Sequence, residues 1–289
     1  MPTKLLKWSW LAGAVAALLL AATSQAQITS YEESGRLNTD SHIGKYTGHA
    51  QDAAADYRRY CVGCHGVLGD GNGEVAQWID PKPRDFTLGI FKCRSTPTGT
   101  LPTDEDLFNT IARGLDRSNM PVWNTFTKQQ RADLVAWVKH FSPRFQKEKP
   151  GTPIEIPAEP EVTPERVKAG QDVFARVQCW KCHGVEGMAN GPSASTLTDD
   201  LSRPILAYNF TDGSRPKCGS TDQDIYRIFM TGLDGTPMPS FSDNIKPDEA
   251  WDLVFYLRTL QPHNPFNTKE RQIAKQLGLK PVNPNAPAQ

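Results

Sequence analysis

One five-residue pattern with a definite chemistry occurs twice. Cys61-Val62-Gly63-Cys64-His65 and Cys179-Trp180-Lys181-Cys182-His183 both read Cys-x-x-Cys-His. Two thiols one helical turn apart can add to the two vinyl groups of a haem and hold it through thioethers. The histidine that follows is then carried under the iron, where a ring nitrogen binds it. A structural zinc site asks for four ligands, as paired Cys-x-x-Cys units or with a histidine pair, and is the weaker reading of two repeated Cys-x-x-Cys-His motifs. A thiol-exchange motif asks for a βαβ setting, which the sequence lacks. The reading is two haem c groups, covalently bound at Cys61, Cys64, Cys179 and Cys182, with His65 and His183 as axial ligands of the iron.

The two motifs lie 118 residues apart, and their surroundings repeat with them. Asn72-Gly73 matches Asn190-Gly191, and Arg84-Asp85-Phe86-Thr87 resembles Tyr208-Asn209-Phe210-Thr211. Lys92-Cys93 matches Lys217-Cys218, Gly114-Leu115-Asp116 matches Gly232-Leu233-Asp234, and Met120-Pro121 matches Met238-Pro239. The offset is 125 at Cys93 and Cys218 and again 118 at the methionines, so insertions of equal length sit at different loops of the two copies. The chain is a tandem duplication with two related domains.

Helices must position these motifs. Thr103-x-x-Asp106 and Thr221-x-x-Asp224 read as capping boxes at the start of a middle helix, and Thr127-x-x-Gln130 opens a closing one. Thr163 caps a helix that has Pro164 in its first turn. Apolar residues recur at helical spacing in each segment: Leu107, Phe108 and Ile111; Ile225, Phe229 and Met230; Leu134, Val135 and Val138; Leu253, Val254 and Leu257. No convincing alternating strand is visible. The expected organisation is a signal peptide at 1–26, a polar leader at 27–44, domains at 45–145 and 163–265, a proline-rich linker at 146–162 and a C-terminal tail at 266–289. A short amphipathic helix is expected near Lys269–Leu277, ahead of a proline-rich, disordered end. The leading segment has Lys4 and Lys7, then 15 uncharged residues from Trp8 to Ala22, then Ser24-Gln25-Ala26 as a cleavage site. That predicts export to the periplasm, with no membrane span left after cleavage.

Each copy resembles a class I c-type cytochrome: a first helix, Cys-x-x-Cys-His, a glycine-rich loop, a middle helix, a methionine beside proline, and a closing helix. The resemblance covers about 50–145 and 163–262. It implies an all-α fold of two tandem class I cytochrome c-like domains joined by the proline-rich linker. It also implies that first and last helices cross, with Gly170, Phe174 and Tyr256 at the contact in the second domain and Ala53, Tyr57 and Trp137 in the first. Met120 and Met238 each follow their histidine by 55 residues and stand beside proline, so they are the expected sixth ligands of iron. Met188 is too close to its histidine, and Met230 reads as core. His42, His49, His140 and His263 have no matched partner in the other copy and read as surface or packed side chains. The family pattern suggests a proline carbonyl, that of Pro192 in the second copy, as the acceptor for the ligating histidine. Arg84 is either a partner for a haem propionate or an ordinary surface arginine.

Cys93 and Cys218 stand at equivalent positions outside the haem motifs. Three readings are open: a disulfide between the domains, two separate buried thiols, or a thiolate axial ligand as in some dihaem thiosulfate-oxidising enzymes.

The 32 basic and 32 acidic side chains leave no net charge, and with it no electrostatic footprint for nucleic acid. The functional expectation is a periplasmic carrier that relays single electrons between redox protein donors and acceptors. Its alternatives are an electron-transfer subunit of a larger oxidoreductase complex, or a dihaem enzyme of peroxidase or thiosulfate dehydrogenase type. A carrier rather than a catalyst is favoured because both irons have a methionine candidate.

Overall fold

A computed structural model describes residues 39–283. The expected signal peptide, most of the polar leader and residues 284–289 lie outside them. Among the described residues the chain is mostly helical, with one two-stranded sheet. The first domain contains β1 (Ser41–Ile43), β2 (Tyr46–Gly48), α1 (Ala50–Tyr60), α2 (Val62–His65), α3 (Asp104–Arg113) and α4 (Lys128–His140), followed by the short α5 (Arg144–Lys147). The second contains α6 (Pro164–Arg176), α7 (Trp180–His183), α8 (Asp222–Thr231), α9 (Pro247–Leu260) and α10 (Thr268–Leu277).

The capping boxes form as read. Thr103, Thr127 and Thr221 each accept from the backbone N–H three residues on, and Asp106, Gln130 and Asp224 each accept the return bond. Thr163 caps α6 with Pro164 in its first turn. α1 crosses α4 and α6 crosses α9, so each domain closes its first helix on the long helix that follows the methionine segment. Gly170 makes the second crossing possible. A Cβ there would lie 1.9 Å from the Asp252 carbonyl oxygen. Phe174 and Tyr256 meet edge to face beside it, with ring centroids 5.4 Å apart. In the first crossing Ala53 is buried, and Tyr57 packs on Trp137 at 5.7 Å. Each domain has its own apolar core, one running from Ile43 to Phe141 and the other from Val167 to Val282.

Three stretches outside the crossing helices are docked on the domains, and the first of them departs from expectation. The leader was expected to run to residue 44 with no strands. Instead β1 and β2 pair antiparallel, with Ser41 opposite Gly48 and Ile43 opposite Tyr46. The hairpin is seated on α4 by the Ser41 hydroxyl, which donates to the Ala132 carbonyl at 2.7 Å. Gly48 lets the backbones touch, because a Cβ there would meet the Ala132 carbonyl at 2.2 Å. Three-residue strands are too short to register as an alternating pattern. At the other end, the short helix expected near Lys269–Leu277 forms as α10 and docks on the second domain. Ile273 and Val282 join the second core, and the Gln171 amide donates to the Lys280 carbonyl at 2.6 Å. The linker is extended but docked. Ile154 donates its N–H to the Ser95 carbonyl at 2.8 Å, and Trp251 Nε1 donates to the Pro157 carbonyl at 3.2 Å. One strap thus touches both domains.

Candidate functional site

Each Cys-x-x-Cys-His motif folds as a single helical turn. His65 donates its backbone N–H to the Cys61 carbonyl at 2.9 Å, and His183 donates to the Cys179 carbonyl at 3.0 Å. The glycine-rich loop then folds back against that turn. Gly73 and Gly191 sit where a Cβ would lie 2.3 Å from the Gly63 and Lys181 carbonyl oxygens, which is why the matched Asn-Gly pairs need glycine. Burial pushes the Cys61 and Cys179 thiols up to about 12, so neither is a ready thiolate for a metal.

The histidine rings are fixed by a route the sequence reading missed. His65 Nδ1 is 3.0 Å from the Arg84 carbonyl, and His183 Nδ1 is 2.8 Å from the Tyr208 carbonyl. A carbonyl only accepts, so each Nδ1 carries the proton and each Nε2 keeps its lone pair for a ligand. Burial holds both imidazoles below the usual histidine range, which favours that neutral form. The expected Pro192 carbonyl is not the acceptor. The acceptors come from the repeated segment Arg84-Asp85-Phe86-Thr87 and Tyr208-Asn209-Phe210-Thr211. There Asp85 Oδ1 accepts from the Thr87 N–H and hydroxyl at 2.8 and 2.6 Å, and Asn209 Oδ1 accepts from Thr211 at 2.8 and 2.9 Å. Phe86 stacks on the His65 ring with centroids 4.3 Å apart, and Phe210 lies 5.0 Å from the His183 ring. The repeat was visible in the sequence, and a main-chain carbonyl was the expected kind of partner; which carbonyl it is was not legible.

Met120 and Met238 are held alike. Their carbonyls accept from Leu115 and Leu233 at 3.1 and 3.0 Å, and their N–H groups donate to the Ser118 and Thr236 hydroxyls, both at 3.2 Å. Cys61, Cys64, His65 and Met120 all line one cavity; Cys179, Cys182, His183 and Met238 line a second. The second has a volume of about 550 Å³ and the first about 150 Å³. The first is narrowed by an aromatic trio. Tyr60, Trp123 and Phe126 line it and pack on one another at 5.4–5.6 Å, where the repeat puts Gln178, Phe241 and Asn244 in the second. Much of the remaining wall is apolar, with basic side chains, Lys92 and Lys217 among them, on one side. Two thiols, a lone-pair nitrogen and a thioether around one slot are a donor set that fits a covalently held haem.

Met230 is core and Met188 is exposed. His42, His49, His140 and His263 line neither cavity. Cys93 and Cys218 are bonded to each other, with Cα atoms 5.2 Å apart. In the structure they are therefore neither separate thiols nor a thiolate ligand. Beside them lies an ion pair that the sequence reading missed. Arg94, with its side chain fully buried, reaches Asp234 of the other domain at 2.7 Å and donates to the Thr231 carbonyl at 2.6 Å. Asp234 also accepts from the Thr98 hydroxyl and the Gly99 N–H, at 2.6 and 2.8 Å.

Known proteins match along the same division. The cytochrome c family profile matches residues 167–261, and that of cytochrome C oxidase, cbb3-type, subunit III matches residues 48–138. Among solved structures, a chain of the reducing HAO-like protein complex of Kuenenia stuttgartiensis is 42% identical, with a TM-score of 0.71; the match covers 73% of this chain and 96% of that one. No curated protein matches. Cytochrome c domains imply covalently bound haem c and electron transfer. With both halves matched and a relative of that identity over most of its length, the chain belongs to the c-type cytochromes, as two cytochrome c domains in tandem.

Proposed function

We propose that the protein is an exported, periplasmic dihaem electron carrier, with one haem c in each domain and His65/Met120 and His183/Met238 as the axial pairs. The observation that carries this reading is the doubled cavity: each gathers the two motif cysteines, the oriented histidine and the matched methionine. When bound, a haem supplies a one-electron Fe(II)/Fe(III) couple, with thioether ligation favouring the ferrous side. The chain's own residues fix the ring nitrogen and hold the methionine on a hydrogen-bonded loop. Nothing in that arrangement has to move between oxidation states, which suits transfer rather than catalysis.

The mass of the mature protein tests the count, and it should exceed the polypeptide by two haems. Optical spectra of the oxidised protein test the ligands. Met120→Ala and Met238→Ala should each remove about half of the methionine–iron charge-transfer band and lower one midpoint potential. An unchanged band in both variants would remove methionine from the iron.

A second reading concerns assembly. The similar Kuenenia chain belongs to a protein complex. We infer that this chain too passes electrons as a subunit docked on a larger oxidoreductase. Co-purification of the native protein from its source with a redox partner would support docking, and recovery as a lone chain would remove it.

A further inference from the structure

Basic side chains converge where the two cavities abut. Pro81, Lys92 and Lys217 line both cavities; Arg84 lines the first and Arg117 the second. Lys92 and Lys217 are chain neighbours of the bonded Cys93 and Cys218, so one disulfide sets where both emerge. Each lysine reaches the wall of the cavity that belongs to the other domain.

Carboxylates surround this seam, but only the arginines touch one: Asp80 lines the second cavity, and Asp80, Asp199 and Asp200 act on the lysines from beyond ion-pair distance. Arg84 has Asp200 at 3.7 Å, and Arg117 has Asp212 at 3.3 Å. Neither lysine has a hydrogen bond or an ion pair among the described residues. Burial, with Arg84 and Lys217 nearby, draws Lys92 down to about 7, and burial lowers Lys217 as well. Ammonium groups withdrawn from water beside other cations are costly unless an anion joins them. The protein provides no such anion in contact, whereas a haem carries two propionate carboxylates on one edge.

We propose that Lys92 and Lys217 are exchanged between the domains: each pairs with haem carboxylates at the seam, its own domain's and the other's, with Arg84 and Arg117 flanking them. Lys92 and Lys217 would then put one cationic field on both sites. This rests on the dihaem reading above. A lysine serving only its own domain would have no reason to line both cavities.

A fixed cation favours the reduced iron, since reduction adds negative charge. In the haem-loaded full chain, Lys92→Gln or Lys217→Gln should therefore lower both midpoint potentials in a spectroelectrochemical titration. Lys92→Arg and Lys217→Arg should keep them near the wild-type values, as should Lys45→Gln on the exposed hairpin turn. A second readout needs no variant. By NMR of the loaded wild type, the Lys92 amine should stay protonated into the ordinary lysine range near about 10. Two haems by mass with unmoved potentials, a shift in only one of them, or a Lys92 amine titrating near neutral pH would each overturn this proposal alone. A wild-type mass short of two haems would overturn the dihaem reading and this proposal with it.

Discussion

At the scale of single residues, the histidine ligand and its support differ in how they can be read. Cys-x-x-Cys-His is legible because its chemistry needs those side chains at that spacing. The partner of Nδ1 is a backbone carbonyl, and its position depends on a turn that Asp85 or Asn209 closes with its side chain. Asp85→Ala deletes two hydrogen bonds of that turn and should cost about 1–2 kcal/mol, read as a lower urea midpoint. Asp85→Asn should cost far less, since Asn209 makes the same turn in the other domain. An alanine variant as stable as the wild type would show that the turn holds without this side chain.

At the scale of elements, caps and apolar faces were readable, and close approach was not. The threonine boxes needed only local spacing. Gly170 is the clearest test of the helix crossing. Alanine is intrinsically better than glycine inside a helix by about 1 kcal/mol. Here the added methyl would meet the Asp252 carbonyl at 1.9 Å, and overpacking of that kind costs about 1–3 kcal/mol or more. The clash should win, so Gly170→Ala should lower stability on chemical denaturation and loosen α6 from α9. A stabilised variant would mean that the crossing yields without loss. The β1–β2 hairpin escaped the sequence because its stability comes from α4, through Ser41 and Gly48, rather than from strand pattern.

At the scale of the whole molecule, a covalent bond and a buried ion pair join the domains. Cys93 and Cys218 close a loop of 125 residues, worth about 5 kcal/mol in the chain-entropy picture. Cys93→Ala with Cys218→Ala should lose a large part of that, and mild reductant should do the same to the wild type, both seen as a lower unfolding midpoint. An unchanged midpoint would mean that the domains are held by their packing alone.

The sequence by itself determined the duplication, the two Cys-x-x-Cys-His motifs and the helices around them, because each follows from spacing along the chain. It also marked Cys93 and Cys218 as equivalent, but left open what they do. Tertiary structure alone decided that they bond, that Arg94 finds its carboxylate 140 residues further on at Asp234, and that both lysines stand between the two cavities. These are contacts across a domain boundary, and such contacts depend on how two separately folded cores dock. No local pattern of residues encodes that relation.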